Sequence, residues 1–253
     1  MKIGFTSTSF RQIKDIEKIV RIASACGAEI IEWGGDIHVK NMDDALNAKV
    51  LCDSAEIKIS SYGSYYRVGS GDVQAWENIC MTVCGLSCGS VRVWLGDKNS
   101  EKTSEAEYRK IVEDAQRICD RAKDFGFIVC PECHNNTYNN NTDAFLKIAR
   151  DIDRDNFKTY FQSKYKNLDY DLDRIERTLP YIESVHISWS EQMREQLPKY
   201  NPSYIDKLLD KLLKSGFDGN LLVEYTYLFS YAGIPKHMIN DVNKLRKKIG
   251  GAI

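Results

Sequence analysis

The sequence contains no apolar run near the ~18 residues that a membrane-crossing helix requires. It has only four histidines and five prolines, and its 35 basic residues are matched by 36 acidic ones. The first absence excludes a helical membrane span. The net charge of −1 leaves no broad field to draw nucleic acid or an anionic membrane surface. The opening residues MKIGFTSTSF lack the long hydrophobic stretch of a secretory leader and read as a first strand. No glycine-rich phosphate loop follows that strand, which argues against a dinucleotide-binding open sheet. Cysteine, by contrast, is present eight times. Without a leader, that count is expected to mean free thiols in a reducing compartment, the cytoplasm.

Two cysteine groupings invite a metal reading. Cys80, Cys84 and Cys88 recur every fourth residue and share a helical face with Val73, Trp76 and Val83, which favours buried packing. Cys130 and Cys133 straddle an expected strand end, where alternation sends them to different sides. No second C-x-x-C completes a tetrahedral zinc set, so packing is again favoured.

Short apolar runs alternate with amphipathic stretches from end to end. The expected strands are Lys2–Ser7, Glu29–Trp33, Ile57–Tyr62, Ser90–Trp94, Phe127–Glu132, Lys158–Gln162, Ser184–Trp189 and Leu221–Tyr225. Most are nearly continuous in hydrophobicity, as strands covered on both faces require. Between them run stripes of helical period, such as Ile16, Ile19, Val20 and Ala23, or Tyr108, Ile111, Val112, Ala115, Ile118, Cys119, Ala122 and Phe125. The second opens with Ser104 and Glu107, a capping-box pair, and closes at Gly126. Further stripes run through Ile205, Leu208, Leu209, Leu212 and Leu213, and, after Pro235, through Met238, Val242, Leu245 and Ile249. Eight even strand–helix units, with no linker or low-complexity break over residues 1–253, imply one α/β domain closed as a (β/α)8 TIM barrel. The Asn-rich stretch Asn135–Asn141 reads as the loop after the fifth strand.

Barrels of this kind place their chemistry at the C-terminal strand ends. Alternation puts Ile128, Cys130 and Glu132 on one face, and likewise Leu222 with Glu224, His186 with Ser188, Tyr160 with Gln162, and Ile30 with Glu32. Each set finishes in a polar group. Three carboxylates, an imidazole and an amide gathered at one mouth would repel and desolvate one another without a cation. Such oxygen-rich donors with one imidazole suit Mn²⁺, Mg²⁺ or Co²⁺, with Zn²⁺ less favoured.

The segments IEWGGDIHV, SSYGSYYRVG, VRVWLGDKNS, CPECHNNTYNN, SVHISW and LLVEY resemble the sugar phosphate isomerase and epimerase family, whose members are xylose isomerase-like barrels. The resemblance spans nearly the whole chain and is more specific for the superfamily than for a substrate. It implies a metal site with Glu, Asp, His and Glu at the ends of strands five to eight. Glu132, His186 and Glu224 match three positions, while Gln162 stands where the family has Asp and supplies less charge. It further implies that Glu132 and Glu224 move a proton at a carbon beside a carbonyl, through a metal-stabilised enediolate. A small sugar, sugar phosphate or related hydroxyketone is the implied substrate. Dehydration of a cyclic polyol ketone and a degenerate sugar-binding barrel are the alternatives. Endonuclease chemistry, known in distant relatives, fits neither four histidines nor a neutral charge balance. Relatives are commonly dimers or tetramers, so a homo-oligomer is consistent with the resemblance.

The remaining candidates are substrate contacts. His38 and Glu32 fall in a segment resembling a family motif at the barrel mouth, and His134 follows Glu132 by two residues. For His134 a substrate contact and a loop surface stand equally open. Arg92 and Trp94 share an inward face; Arg92 either binds an anionic substrate group or pairs internally with Glu32 or Glu132. Trp33, Tyr62, Tyr65, Tyr66, Trp94 and Trp189 are either a wall for stacking sugar rings or packing. His237 and Lys164 read as solvated.

Overall fold

A computed structural model of the chain describes residues 1–163, 167–187, 203–225 and 234–250. The strands are β1 (Lys2–Thr6), β2 (Ile30–Gly34), β3 (Lys58–Val68), β4 (Ser90–Leu95), β5 (Ile128–Pro131), β6 (Thr159–Gln162), β7 (Ile182–Ile187) and β8 (Asn220–Val223). They alternate with α1 (Ile16–Cys26), α2 (Met42–Ser54), α3 (Val73–Leu86), α4 (Glu105–Asp124), α5 (Thr142–Ile152), α6 (Leu168–Thr178), α7 (Ser203–Lys214) and α8 (Ile234–Gly250). The eight strands are parallel in the order β5-β4-β3-β2-β1-β8-β7-β6. Parallel bridges Val129–Phe157 and Glu132–Tyr160 join the two ends of that order, so the barrel closes between β5 and β6.

Local chemistry explains the alternation. Ser104 and Glu107 form the expected reciprocal capping box of α4, and Gly126, just past its end, adopts φ +77, which a side chain would resist. Gly4 serves packing: a Cβ there would sit 1.8 Å from the Ile30 carbonyl oxygen of the neighbouring strand. The helical stripes face the sheet, with Ile16, Ile19, Val20 and Ala23 of α1 and Ile205, Leu208, Leu209 and Leu212 of α7 all buried. Among the described residues no helix is long and apolar enough to cross a membrane.

The barrel interior is a separate and smaller core. Ile30, Cys130, Tyr160 and Leu222 form a buried cluster, with Ile128 packed against it. Four strands thus each contribute an inward residue, as the alternation requires, and plug the barrel below its mouth. The eight cysteines are all free. Cys80 and Cys88 are buried as expected, but Cys84 is exposed, so the trio is not one packed face.

Strand boundaries depart from expectation in two informative places. β3 runs to Val68 instead of stopping at Tyr62, and its register with β4 shifts between Gly63 and Arg67. Tyr65 lies in that shift with φ +58, an unusual conformation for a bulky residue. β7 starts at Ile182, two residues early; Trp189, its expected end, lies outside the described residues.

Candidate active site

The inward residue above each member of the interior plug is polar. Glu32 lies in the middle of β2, Glu132 follows β5, Gln162 ends β6 and Glu224 follows β8, while Arg92 of β4 and His186 of β7 complete the layer. One potential ligand atom from each of Glu132, His186 and Glu224 lies within 4.8 Å of the other two. His186 Nδ1 stands 3.5 Å from Glu132 Oε1 and 3.4 Å from Glu224 Oε2. On the other side of the ring, Nε2 faces Glu32 Oε2 at 3.4 Å. Gln162 Nε2 donates to Glu224 Oε2 at 2.8 Å. Glu132 Oε2 accepts from Arg92 Nη1 and, at 2.8 Å, from Trp94 Nε1.

Arg92 is the hinge of the charge distribution. Its Nε approaches Glu32 Oε1 to 3.2 Å, close enough for an ion pair but without hydrogen-bond alignment, so both atoms lack a hydrogen-bond partner, as does Arg92 Nη2. Burial by itself would raise the Glu32 carboxyl pKa, but Arg92 and His186 overcome it and bring the value down to about 2. Burial opposes ionisation of Glu132 too, and Arg92 again reverses the sign. For His186, burial disfavours the imidazolium, yet Glu224 and Glu32 hold its pKa well above the ordinary histidine value. The cluster therefore demands positive charge.

That demand is the physical test of whether a cation fits. His186 Nδ1 is buried without a hydrogen-bond partner and faces two carboxylate oxygens. One imidazole nitrogen and two carboxylates make a donor set suited to a divalent ion. Turning the Gln162 amide about its last bond would present its carbonyl oxygen beside Glu224. Glu32 sits behind His186, where a carboxylate fixes the ring of a ligand histidine.

Three of the expected substrate contacts are buried and engaged by neighbouring groups of the fold. Glu32 is fully sealed, accepting from Ser61 Oγ at 3.0 Å as well as pairing with Arg92, so it supports the cluster from behind. His38 is buried with both ring nitrogens engaged, Nδ1 on Ser7 Oγ at 3.0 Å and Nε2 on the Ile13 carbonyl at 2.8 Å. It braces the turn after β1, and burial lowers its pKa. Tyr62 is buried and donates to the Val39 carbonyl at 3.1 Å, with burial raising its pKa to about 12. Arg92 pairs internally with both Glu32 and Glu132.

Trp94 and His134 do reach the mouth, where their rings stack at 5.2 Å between centroids. Trp33 and Tyr66 are core residues. The sequence reading placed no role on Arg67, Arg11, Asp36 or Asn139. Asn139 is buried and its Nδ2 donates to the Glu132 backbone carbonyl at 3.1 Å, tying the Asn-rich loop to the strand end. Arg11 bridges Asp36 and Tyr65 at the rim. An arginine in the segment after an expected strand, five residues past Tyr62, was the available signal for Arg67.

A family model described as xylose isomerase-like TIM barrel matches residues 20–238. The chain belongs to that family. No curated protein matches it. Among solved structures, the probable 3-DHS dehydratase AsbF from Bacillus anthracis, involved in petrobactin synthesis, superposes with a TM-score of 0.77 at 19% identity, covering 94% of this chain and 97% of that one. A D-psicose 3-epimerase reaches 0.77 at 15% identity, with 98% of each chain covered. The 3-keto-D-glucoside 4-epimerase YcjR from E. coli reaches 0.74 at 14% identity, covering 96% and 99%. At these identities the likeness establishes the fold. The structural neighbours of this barrel thus include epimerases and a dehydratase.

Proposed function

We propose that the protein is a metal-dependent isomerase or epimerase of a small sugar, sugar phosphate or related hydroxyketone. The observation that carries this reading is the convergence of Glu132, His186 and Glu224 donor atoms within 4.8 Å at the barrel mouth. Glu132, Gln162, His186 and Glu224 would hold one divalent ion, Mn²⁺, Mg²⁺ or Co²⁺, with Zn²⁺ less favoured. A cation there supplies positive charge for a substrate oxygen that becomes anionic as the neighbouring carbon loses its proton.

The chain's own residues supply the proton chemistry. Glu132 and Glu224 come from β5 and β8, which the order β5-β4-β3-β2-β1-β8-β7-β6 separates around the barrel. A substrate carbon between them can lose a proton to one carboxylate and regain one from the other. Arg92 and Trp94 fix Glu132 through Oε2, which directs Oε1 toward His186 and the mouth. Gln162 holds Glu224 through Oε2, the oxygen that also faces His186 Nδ1. The fold-level likeness to a dehydratase supports a second reading, in which the same base removes a proton and water leaves from the adjacent carbon.

The deciding experiment is metal analysis of the purified protein, calorimetric titration with Mn²⁺ or Co²⁺, and a screen of ketoses and polyol ketones in deuterated water. Solvent deuterium at one carbon of an unchanged formula supports epimerisation; loss of water supports the lyase. Failure to bind either ion at millimolar concentration would leave a degenerate sugar-binding barrel.

A further inference from the structure

We propose that Arg67 makes the barrel mouth selective for an anionic group, a carboxylate or a phosphate, carried at the far end of a short hydroxylated substrate. This rests on the reading of the site given above and adds to it the class of substrate.

The first observation is placement. Arg67 is carried to the C-terminal end of the barrel by the lengthened β3, beyond the register shift that contains Tyr65 at φ +58. Backbone strain in a bulky residue is tolerated only where surrounding structure holds it, and it concentrates at ligand sites. Tyr65 is held on three sides. Its ring packs edge-on against Trp94 at 5.2 Å and lies beneath the Arg92 guanidinium at 5.2 Å, and its hydroxyl accepts from Arg11 at 2.7 Å.

The second observation is preorganisation. Arg67 Nη1 donates to the Gly96 carbonyl at 2.8 Å and to the Asn136 carbonyl at 3.1 Å. The guanidinium carbon sits 4.2 Å from the centre of the Trp94 ring. One nitrogen and one face of the fork are thus fixed, and Nε and Nη2 have no partner among the described residues. A fork held in this way loses little freedom when it binds an anion in two-pronged fashion.

The third observation is charge. The neighbouring arginines are neutralised, Arg11 by Asp36 at 2.5 Å and Arg92 by Glu32 and Glu132. Arg67 has no carboxylate within ion-pair distance among the described residues. Burial lowers its pKa, and only Asp97, at longer range, opposes that. A half-buried cation kept without a counter-ion is costly, and a substrate anion supplies the missing charge.

The separation is suited to one small molecule. The Trp94 indole touches both groups, its ring under Arg67 and its Nε1 on Glu132 Oε2 at 2.8 Å. The anion-binding fork therefore lies one indole away from the carboxylate assigned to proton transfer. His134, stacked on the same indole, lines the gap.

The test uses calorimetric titration of the intact protein with ribitol, ribonate and ribitol phosphate. At least one anion should bind about tenfold more tightly than ribitol, as a charge-assisted pair implies, and the advantage should shrink with added salt. Which anion shows it separates carboxylate from phosphate. Arg67→Gln removes the charge and should abolish the advantage. Arg67→Lys should keep part of it. Equal binding of all three ligands by the native protein, or an advantage that survives Arg67→Gln, would overturn the proposal. Glu224→Gln, which probes proton transfer, is read by turnover and Arg67→Gln by the anion-to-ribitol affinity ratio, so the two readings are tested separately. Binding of none of the three would overturn the proposal for Arg67, while the metal site is judged separately by its own Mn²⁺ titration.

Discussion

Replacing Arg92 by methionine removes a guanidinium that touches both Glu32 and Glu132 while keeping much of the side-chain volume. In the native protein the Glu32 carboxyl is fully buried and held at about 2 from an ordinary 4.5, a displacement worth about 3 kcal/mol. Removing one partner from a buried ion pair costs ~3–5 kcal/mol, and here two carboxylates lose theirs. A loss of about 3 kcal/mol or more at pH 7 is therefore expected from denaturant unfolding followed by circular dichroism. The pH dependence provides the sharper signature. A carboxyl whose folded pKa is depressed stabilises fully above its unfolded value near 4.5, and that stability is lost as pH falls through about 2. Without Arg92, burial dominates and raises the Glu32 pKa instead, so folding takes up a proton. Arg92→Met should then gain stability when acidified from pH 7 toward 5, where the native protein gains nothing from Glu32. Added Mn²⁺ should also restore part of the loss, because a bound cation stabilises the folded state by mass action. A variant within about 1 kcal/mol of native, with an unchanged pH profile, would show that the guanidinium does not hold this cluster together.

Three further outcomes are expected. Glu132→Gln and Glu224→Gln keep side-chain shape but remove a basic oxygen, so turnover on the true substrate should fall at least about a hundredfold with metal present in excess; near-native turnover in both would refute their assignment. Gln162→Asp restores a negative ligand at the strand end and should tighten Mn²⁺ binding by about tenfold or more in calorimetry, whereas unchanged affinity would place Gln162 outside the metal's reach. His38→Ala should lower stability by about 1–3 kcal/mol in chemical unfolding with KM unchanged, since its ring nitrogens brace Ser7 and Ile13; a KM effect without destabilisation would return His38 to the substrate site.

The sequence by itself determined the strand–helix alternation and the inward parity of the strand ends. Both are local properties: a helix stripe repeats every few residues, and side chains alternate along a strand, so Glu132, Gln162, His186 and Glu224 could be assigned to one face without knowing their neighbours. Closure through Val129–Phe157 and Glu132–Tyr160 brought those ends together. Parity says only that a side chain points inward, however, and not how high it sits or what occupies the space around it. Glu32 has the right parity yet is sealed beneath Arg92 and His186, and His38 follows a motif at the mouth yet folds under it to bind Ser7 and Ile13. Arg67 went unrecognised for the opposite reason. Its place depends on a register shift between β3 and β4, a relation between two strands that no period within either one encodes. Depth, register and ion pairing arise between segments distant in sequence, and only the tertiary structure decided them.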